Sequence, residues 1–118
     1  MENKYIKNID FENILLLKDQ VDYLKGQIVS KTLVQNDFVS LTLFAFGEGE
    51  EISTHESSGD AMVTCLDGKG QITIDNKKYI LNKGETIIMP SHKPHAVLAV
   101  QNFKMVLLVI FPGNENIK

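Results

Sequence analysis

Cysteine is nearly absent from this chain of 118 residues, and tryptophan is missing altogether. A lone Cys65 cannot close an intrachain disulfide and offers no paired-cysteine metal motif, so a disulfide-stapled scaffold is excluded and stability has to come from packing. An excess of base is lacking too: 12 Lys and Arg stand against 15 Asp and Glu, a net charge of −3, with the signs interspersed. A phosphate backbone finds no basic stripe here, so nucleic acid is not an expected partner. The longest unbroken apolar run, residues 105–111, falls far short of the roughly 20 residues of a membrane-spanning helix, so no membrane partner is expected. Residues 1–8 carry no apolar stretch followed by a small-residue cleavage site, which together with the single cysteine predicts a cytoplasmic location. Phosphate-loop and nucleophile-elbow patterns are missing as well. Gly68-Lys69-Gly70 opens no helix, and none of Ser57, Ser58 and Ser91 sits on a strand-to-helix turn.

What the sequence does have is β-forming character. Val, Ile and Thr account for 27 residues, and 43% of the chain is apolar, enough for one core and one domain over residues 1–118. Turn signals recur at short intervals: Lys25-Gly26, Asn36-Asp37, Gly47-Glu48-Gly49, Asp67-Gly68, Asp75-Asn76, Asn82-Lys83-Gly84, the 90–94 loop and Gln101-Asn102. That spacing predicts an antiparallel sandwich or barrel. The strands expected between them cover residues 27–34, 38–46, 61–67, 71–74, 78–81, 86–89, 95–100 and 105–111. Asn36-Asp37 and Asp75-Asn76 predict hairpins, because Asp and Asn tolerate the positive φ that tight turns demand. In the second strand, alternation puts Val39, Leu41 and Leu43 on one face and Ser40, Thr42 and Phe44 on the other. Asp10 as an N-cap predicts a short helix over residues 11–17.

All three histidines, His55, His92 and His95, fall in the central part of the chain. Imidazoles from separated strands can converge in the mouth of a small barrel, and neutral imidazole is the commonest protein ligand for borderline metals. The plainer reading of each is a solvated loop residue, His92 between Pro90 and Pro94 above all, and that of Asp60 is a turn residue bonding a nearby backbone N–H. The acidic group Glu48, Glu50, Glu51 and Glu56 reads as a solvated strand edge whose charges discourage edge-to-edge pairing.

The spacing around these histidines narrows the choice. Gly47-Glu48-Gly49-Glu50-Glu51-Ile52-Ser53-Thr54-His55-Glu56-Ser57-Ser58-Gly59-Asp60, running on through an apolar segment to Gly68, resembles the first motif of the cupin family. Gly84-Glu85-Thr86-Ile87-Ile88-Met89-Pro90-Ser91-His92-Lys93-Pro94-His95 resembles the second. The resemblance implies an all-β fold, an antiparallel double-stranded β-helix or jelly-roll barrel, with a pocket at one end. The core barrel would span about residues 38–111, with extension strands at about 20–34. The resemblance also implies a divalent transition metal, Fe, Mn, Ni, Zn or Cu, on two histidines and a carboxylate of the first motif and a histidine of the second. His55 takes the place of the first histidine and His95 that of the second-motif histidine, while Asp60 stands at or beside the carboxylate. Ser57 occupies the position of the other first-motif histidine, and a serine hydroxyl is a poor substitute for imidazole. His92, where the family has a glycine, becomes a third metal donor alongside His55 and His95 if the 90–94 loop folds inward.

Alternation then predicts the lining. With Asp60 pointing inward, Met62, Thr64 and Leu66 follow it and Ala61, Val63 and Cys65 face away, whereas His95 takes Val97 and Ala99 inside. The expected ligand-binding set is His55, Asp60, Met62 and His95, around a small molecule. Because the second histidine is missing, the leading expectation is a binding protein without a tightly held metal. The alternative is a metal-dependent oxygenase or isomerase acting on a small organic substrate. Apolar surface on Ile28, Val29, Leu33, Val34 and residues 105–111 exceeds what a small cone hides, which predicts a homodimer.

Overall fold

The computed structural model describes residues 4–113. Among the described residues, seven strands follow a single 3-10 turn, Leu17–Gln20: β1 (Ile28–Gln35), β2 (Val39–Phe46), β3 (Glu51–His55), β4 (Asp60–Ile74), β5 (Lys77–Asn82), β6 (Thr86–Met89) and β7 (His95–Ile110). Every pairing is antiparallel. The predicted hairpins form at both expected turns. The Asn36 side-chain carbonyl accepts from the N–H groups of Phe38 and Val39, at 2.8 and 2.9 Å, and Asp75 adopts the left-handed backbone of its turn, φ 54°.

Two pairs of expected strands are each one continuous strand. Residues 61–67 and 71–74 both lie in β4, and residues 95–100 and 105–111 fall almost wholly in β7. These long strands belong to both layers of the barrel. Residues 60–65 of β4 pair with β6 and with the second half of β7, which in turn pairs with β2, giving a five-stranded layer β1-β2-β7-β4-β6. Residues 70–74 pair with β5 and with the start of β7, which pairs with β3, giving a four-stranded layer β3-β7-β4-β5. Register shifts at Cys65/Asp67 and Gly68/Gly70 turn the corner between layers. Asp67-Gly68 is therefore a bulge, which bends a strand without ending it.

The predicted helix over residues 11–17 does not form. Glu12 sits at φ 60°, and the segment is held at both ends: the Lys7 N–H donates to the Leu33 carbonyl at 2.8 Å, and the Lys18 carbonyl accepts from the Lys104 ammonium at 2.6 Å. A left-handed residue at the second position of the expected helix breaks the right-handed hydrogen-bond ladder there. Along the way Ile9, Leu17 and Val21 cover Leu33, Leu43 and Ala45 on the outer face of the five-stranded layer. The apolar surplus expected on β1 is thus covered largely by the chain's own N-terminal segment. Lys104 is buried, its ammonium 4.8 Å from the centre of the Tyr23 ring, and the Tyr23 hydroxyl donates to Asp67 at 2.7 Å. These contacts clamp the segment to the barrel.

Between the layers lies the main core, in which Phe46, Val63, Ile72, Phe103 and Met105 are fully buried. The phase predicted for β2 holds, with Leu43 outside and Phe44 packed against the inner core. The phase predicted for β4 is inverted. Ala61, Val63 and Cys65 point inward, and Met62, 42% exposed, points outward.

Candidate functional site

β3 ends on His55 and β7 begins on His95, and the two residues are register partners across that strand pair. This pairing lays two imidazoles side by side at one end of the barrel. Their planes cross at 68° with centroids 4.2 Å apart, and their Nε2 atoms are 3.0 Å apart. Each ring is fixed the same way from behind: His55 Nδ1 meets the Ser53 carbonyl at 2.9 Å, and His95 Nδ1 meets the Lys93 carbonyl at 3.1 Å. A carbonyl only accepts, so each Nδ1 contact needs a proton on that nitrogen, while the Nε2–Nε2 contact is a hydrogen bond that needs a proton on one of the two Nε2 atoms.

In front of the pair is a cavity of about 260 Å³. Its walls are Ala61, Met89, Met105, Leu107 and Val109 from the five-stranded layer and Ile52 and Val97 from the four-stranded one. Glu56 and Ser57 stand with the histidines as its polar margin. An apolar chamber with a few convergent polar groups is the usual make-up of a small-molecule site. A wider groove at the opposite end, lined by Tyr23, Glu48, Asp67 and Asn102, has Tyr23, Asp67 and Asn102 hydrogen-bonded within its own lining. Asn102 accepts from the Glu48 N–H at 2.8 Å, and Asp67 accepts from Tyr23.

His95 is 4% exposed. Burial pushes its pKa below the ordinary imidazole value, the Lys93 carbonyl opposes that fall, and the neighbouring His55 adds to it. His95 therefore binds a proton more weakly folded than unfolded. The stability this contributes is complete above the unfolded imidazole pKa, about 6.5, and is lost as the pH falls below it. Circular dichroism melts between about pH 7.5 and pH 5.5 are expected to show a steeper fall in midpoint for the parent than for His95→Gln. Equal slopes would remove His95 as the source.

The remaining expected site residues lie elsewhere. Met62 is on the outer face of the barrel and cannot reach the cavity. Asp60 is turned aside, its carboxylate accepting from the Ser91 N–H at 2.9 Å. That bond is also why the β4 phase came out inverted: Asp60 does not point inward, so counting by two from it selects the wrong face. His92 is an exposed turn residue at φ 63°, and its N–H donates to the Ser57 carbonyl at 2.8 Å. The two bonds zip the 56–60 and 90–94 loops together and leave the His92 ring outside the cavity. Ala99 is buried as expected but lies beyond the cavity wall. Cys65 points into the core, contrary to the expected phase, yet stays off the site because its thiol reaches the Asp67 and Gly68 carbonyls at 3.4 and 3.6 Å. Met89, Met105, Leu107 and Val109 were not foreseen. Counting by two from His95 does reach Met105, Leu107 and Val109, but the turn expected at Gln101-Asn102 stops the count at the first half of what is one continuous strand.

Among the described residues, no three His, Cys, Asp or Glu side chains converge as a metal site needs. Two imidazoles fall short of the three protein ligands of an open transition-metal centre, since the Asp60 carboxylate is bonded to the Ser91 N–H and His92 does not line the cavity. The donor set therefore does not fit the metal that the motif resemblance implies.

Residues 42–111 match a family model described as the cupin domain. The chain belongs to the cupin family. An uncharacterized protein of Methanocaldococcus jannaschii is 37% identical, over 79% of this cupin and 83% of its own length. A conserved Streptococcus pyogenes protein of unknown function has a solved structure that superposes with a TM-score of 0.93 at 43% identity, over 95% of this chain and 98% of that one. A Desulfitobacterium hafniense cupin superfamily protein superposes with a TM-score of 0.86 at 33% identity, over 90% and 97%. Among the described residues of this cupin, no helix is long and apolar enough to cross a membrane.

Proposed function

We propose that this cupin is a small-molecule-binding protein whose ligand occupies the barrel cavity and contacts His55 and His95. The observation that carries this reading is the buried His95, paired with His55 and opening on an apolar chamber of about 260 Å³. Fragment screening by NMR on the parent, His55→Ala and His95→Ala tests it. Fragments that shift resonances of Ile52, Ala61 and Val97 are expected to lose at least tenfold in affinity in both variants, about 1.4 kcal/mol. Hits confined to other surfaces would overturn the assignment.

A metal-dependent enzyme is the rival reading, favoured by the carbonyl bonds to both Nδ1 atoms, an arrangement also found behind metal-ligating histidines. Stoichiometric metal in the purified parent, lost in both histidine variants, would refute the metal-free reading.

The protein is further proposed to be a homodimer, with the apolar surface to be covered differing from that expected on β1. Ile88, Met62 and Leu108 are register partners in one row across the outer face of the five-stranded layer, and Ile88 and Met62 are exposed. On the N-terminal segment that crosses this same layer, Ile14 is fully exposed and Leu16 largely so. A donor segment and an acceptor row on one face are self-complementary about a two-fold axis. Light scattering at micromolar concentration is expected to give a dimer for the parent and a monomer for Met62→Lys. A monomeric parent would refute it.

A further inference from the structure

We infer that the cavity takes an uncharged, mostly apolar molecule built on one aromatic ring, and that it rejects carboxylates and amines of the same shape. This rests on the binding reading above and adds the class of ligand. Every ring nitrogen of the histidine pair is already engaged: the two Nδ1 atoms meet the Ser53 and Lys93 carbonyls, and the two Nε2 atoms are hydrogen-bonded to each other at 3.0 Å. The pair therefore offers the chamber ring carbon, and a charged head finds no free N–H or lone pair on it. Ser57 Oγ accepts from the Gly59 N–H at 3.2 Å, which leaves its one hydroxyl proton to meet a ligand. The walls are strand residues, whose backbone polar groups lie in the plane of the sheet while their side chains stand across it, so the backbone supplies no further partner.

An ion of either sign is badly served there. No Lys or Arg lines the chamber, and its one carboxylate, Glu56, is exposed at the margin, where water screens any pair it makes. A charge moved from water into the chamber keeps its desolvation penalty with no partner to offset it. An apolar body meets the reverse situation, because nearly every surface it touches is aliphatic, and the thioethers of Met89 and Met105 make favourable contacts with an aromatic ring. Dry apolar cavities of roughly 150 Å³ hold benzene, so about 260 Å³ has room for such a ring with a chain of a few carbons.

Four probes of similar shape test it: ethylbenzene, phenylacetone, phenylacetate and 2-phenylethylamine, titrated by NMR into the full chain at about pH 7.5, above the ordinary imidazole pKa of about 6.5. Ethylbenzene and phenylacetone are expected to bind at least about tenfold more tightly than either ion, while shifting Ile52, Ala61 and Val97. A second arm supplies the cation that the wall lacks. Ile52 is half-buried on β3, which pairs with β7 alone, so Ile52→Lys places an ammonium group beside the chamber at an edge strand. That variant, its spectrum matching the parent's away from the cavity, is expected to bring phenylacetate within about threefold of phenylacetone and to leave the amine weak. Either ion binding the parent's cavity as tightly as the uncharged probes would overturn the inference while the binding reading stands. A folded Ile52→Lys that still excludes phenylacetate would overturn it too, since the missing cation would then not be what keeps the acid out. Failure of every probe to shift the cavity residues would overturn both readings.

Discussion

Gly68→Ala is expected to lower the thermal midpoint by about 10–20 °C, the consequence of roughly 3 kcal/mol or more lost at the corner of the barrel. Two costs fall on the same residue. Gly68 has φ +76°, which an L side chain adopts only with strain, and a Cβ built there would lie 1.7 Å from the Asn102 carbonyl oxygen. That oxygen belongs to β7, the strand that carries the corner with β4, so relief means prying apart the pair that holds both layers together. The control is Gly84→Ala, at φ +87° with nothing within 4 Å of the added carbon. It carries the conformational cost alone, about 1 kcal/mol. Calorimetric melts of the two variants separate the contributions. Equal shifts would mean that the Asn102 carbonyl moves aside freely and that the corner is soft.

The same corner explains much of what the sequence could and could not foretell. Asn36-Asp37 and Asp75-Asn76 were legible as hairpins because their turn chemistry is local, a side-chain carbonyl or a left-handed residue acting within four positions. Asp67-Gly68 carries equally good turn chemistry, yet a bulge uses a positive-φ glycine just as a turn does. Which one forms is decided by Asn102 and Phe103 across the sheet, more than thirty residues away. His55 and His95 were legible through motif spacing, and their register pairing follows from it. His92 and Asp60 were not, because their placement depends on backbone bonds between two loops, Ser57 to His92 and Asp60 to Ser91. Met62 followed Asp60 onto the wrong face, since a period of two turns one misplaced anchor into an inverted strand. The N-terminal segment reads as helix because Ile14-Leu15-Leu16-Leu17 is an apolar run without a period, and the contacts that hold it in place lie on β1 and β7.

Phe103→Ala is expected to cost about 3–5 kcal/mol, comparable with the whole stability of a marginal domain of this size. Its ring is fully buried, tilts 39° against Phe46 at 5.6 Å, and lies across Gly70, where a Cβ would come within 2.5 Å of the ring. The absent side chain at Gly70 is what lets the aromatic ring fill the space behind the bend. Truncation at Phe103 removes both the transfer free energy of the ring and the contacts of the residues around the hole it leaves. Gly70→Ala alone is expected to cost about 1–3 kcal/mol as overpacking. In the Phe103→Ala background the same methyl enters empty space, so its cost is expected to vanish or change sign, a coupling above about 1 kcal/mol in a double-mutant cycle. Urea unfolding of the four proteins at constant m measures that coupling. Additive losses would show that Gly70 is kept for its backbone and that the ring and the glycine stabilise the corner independently.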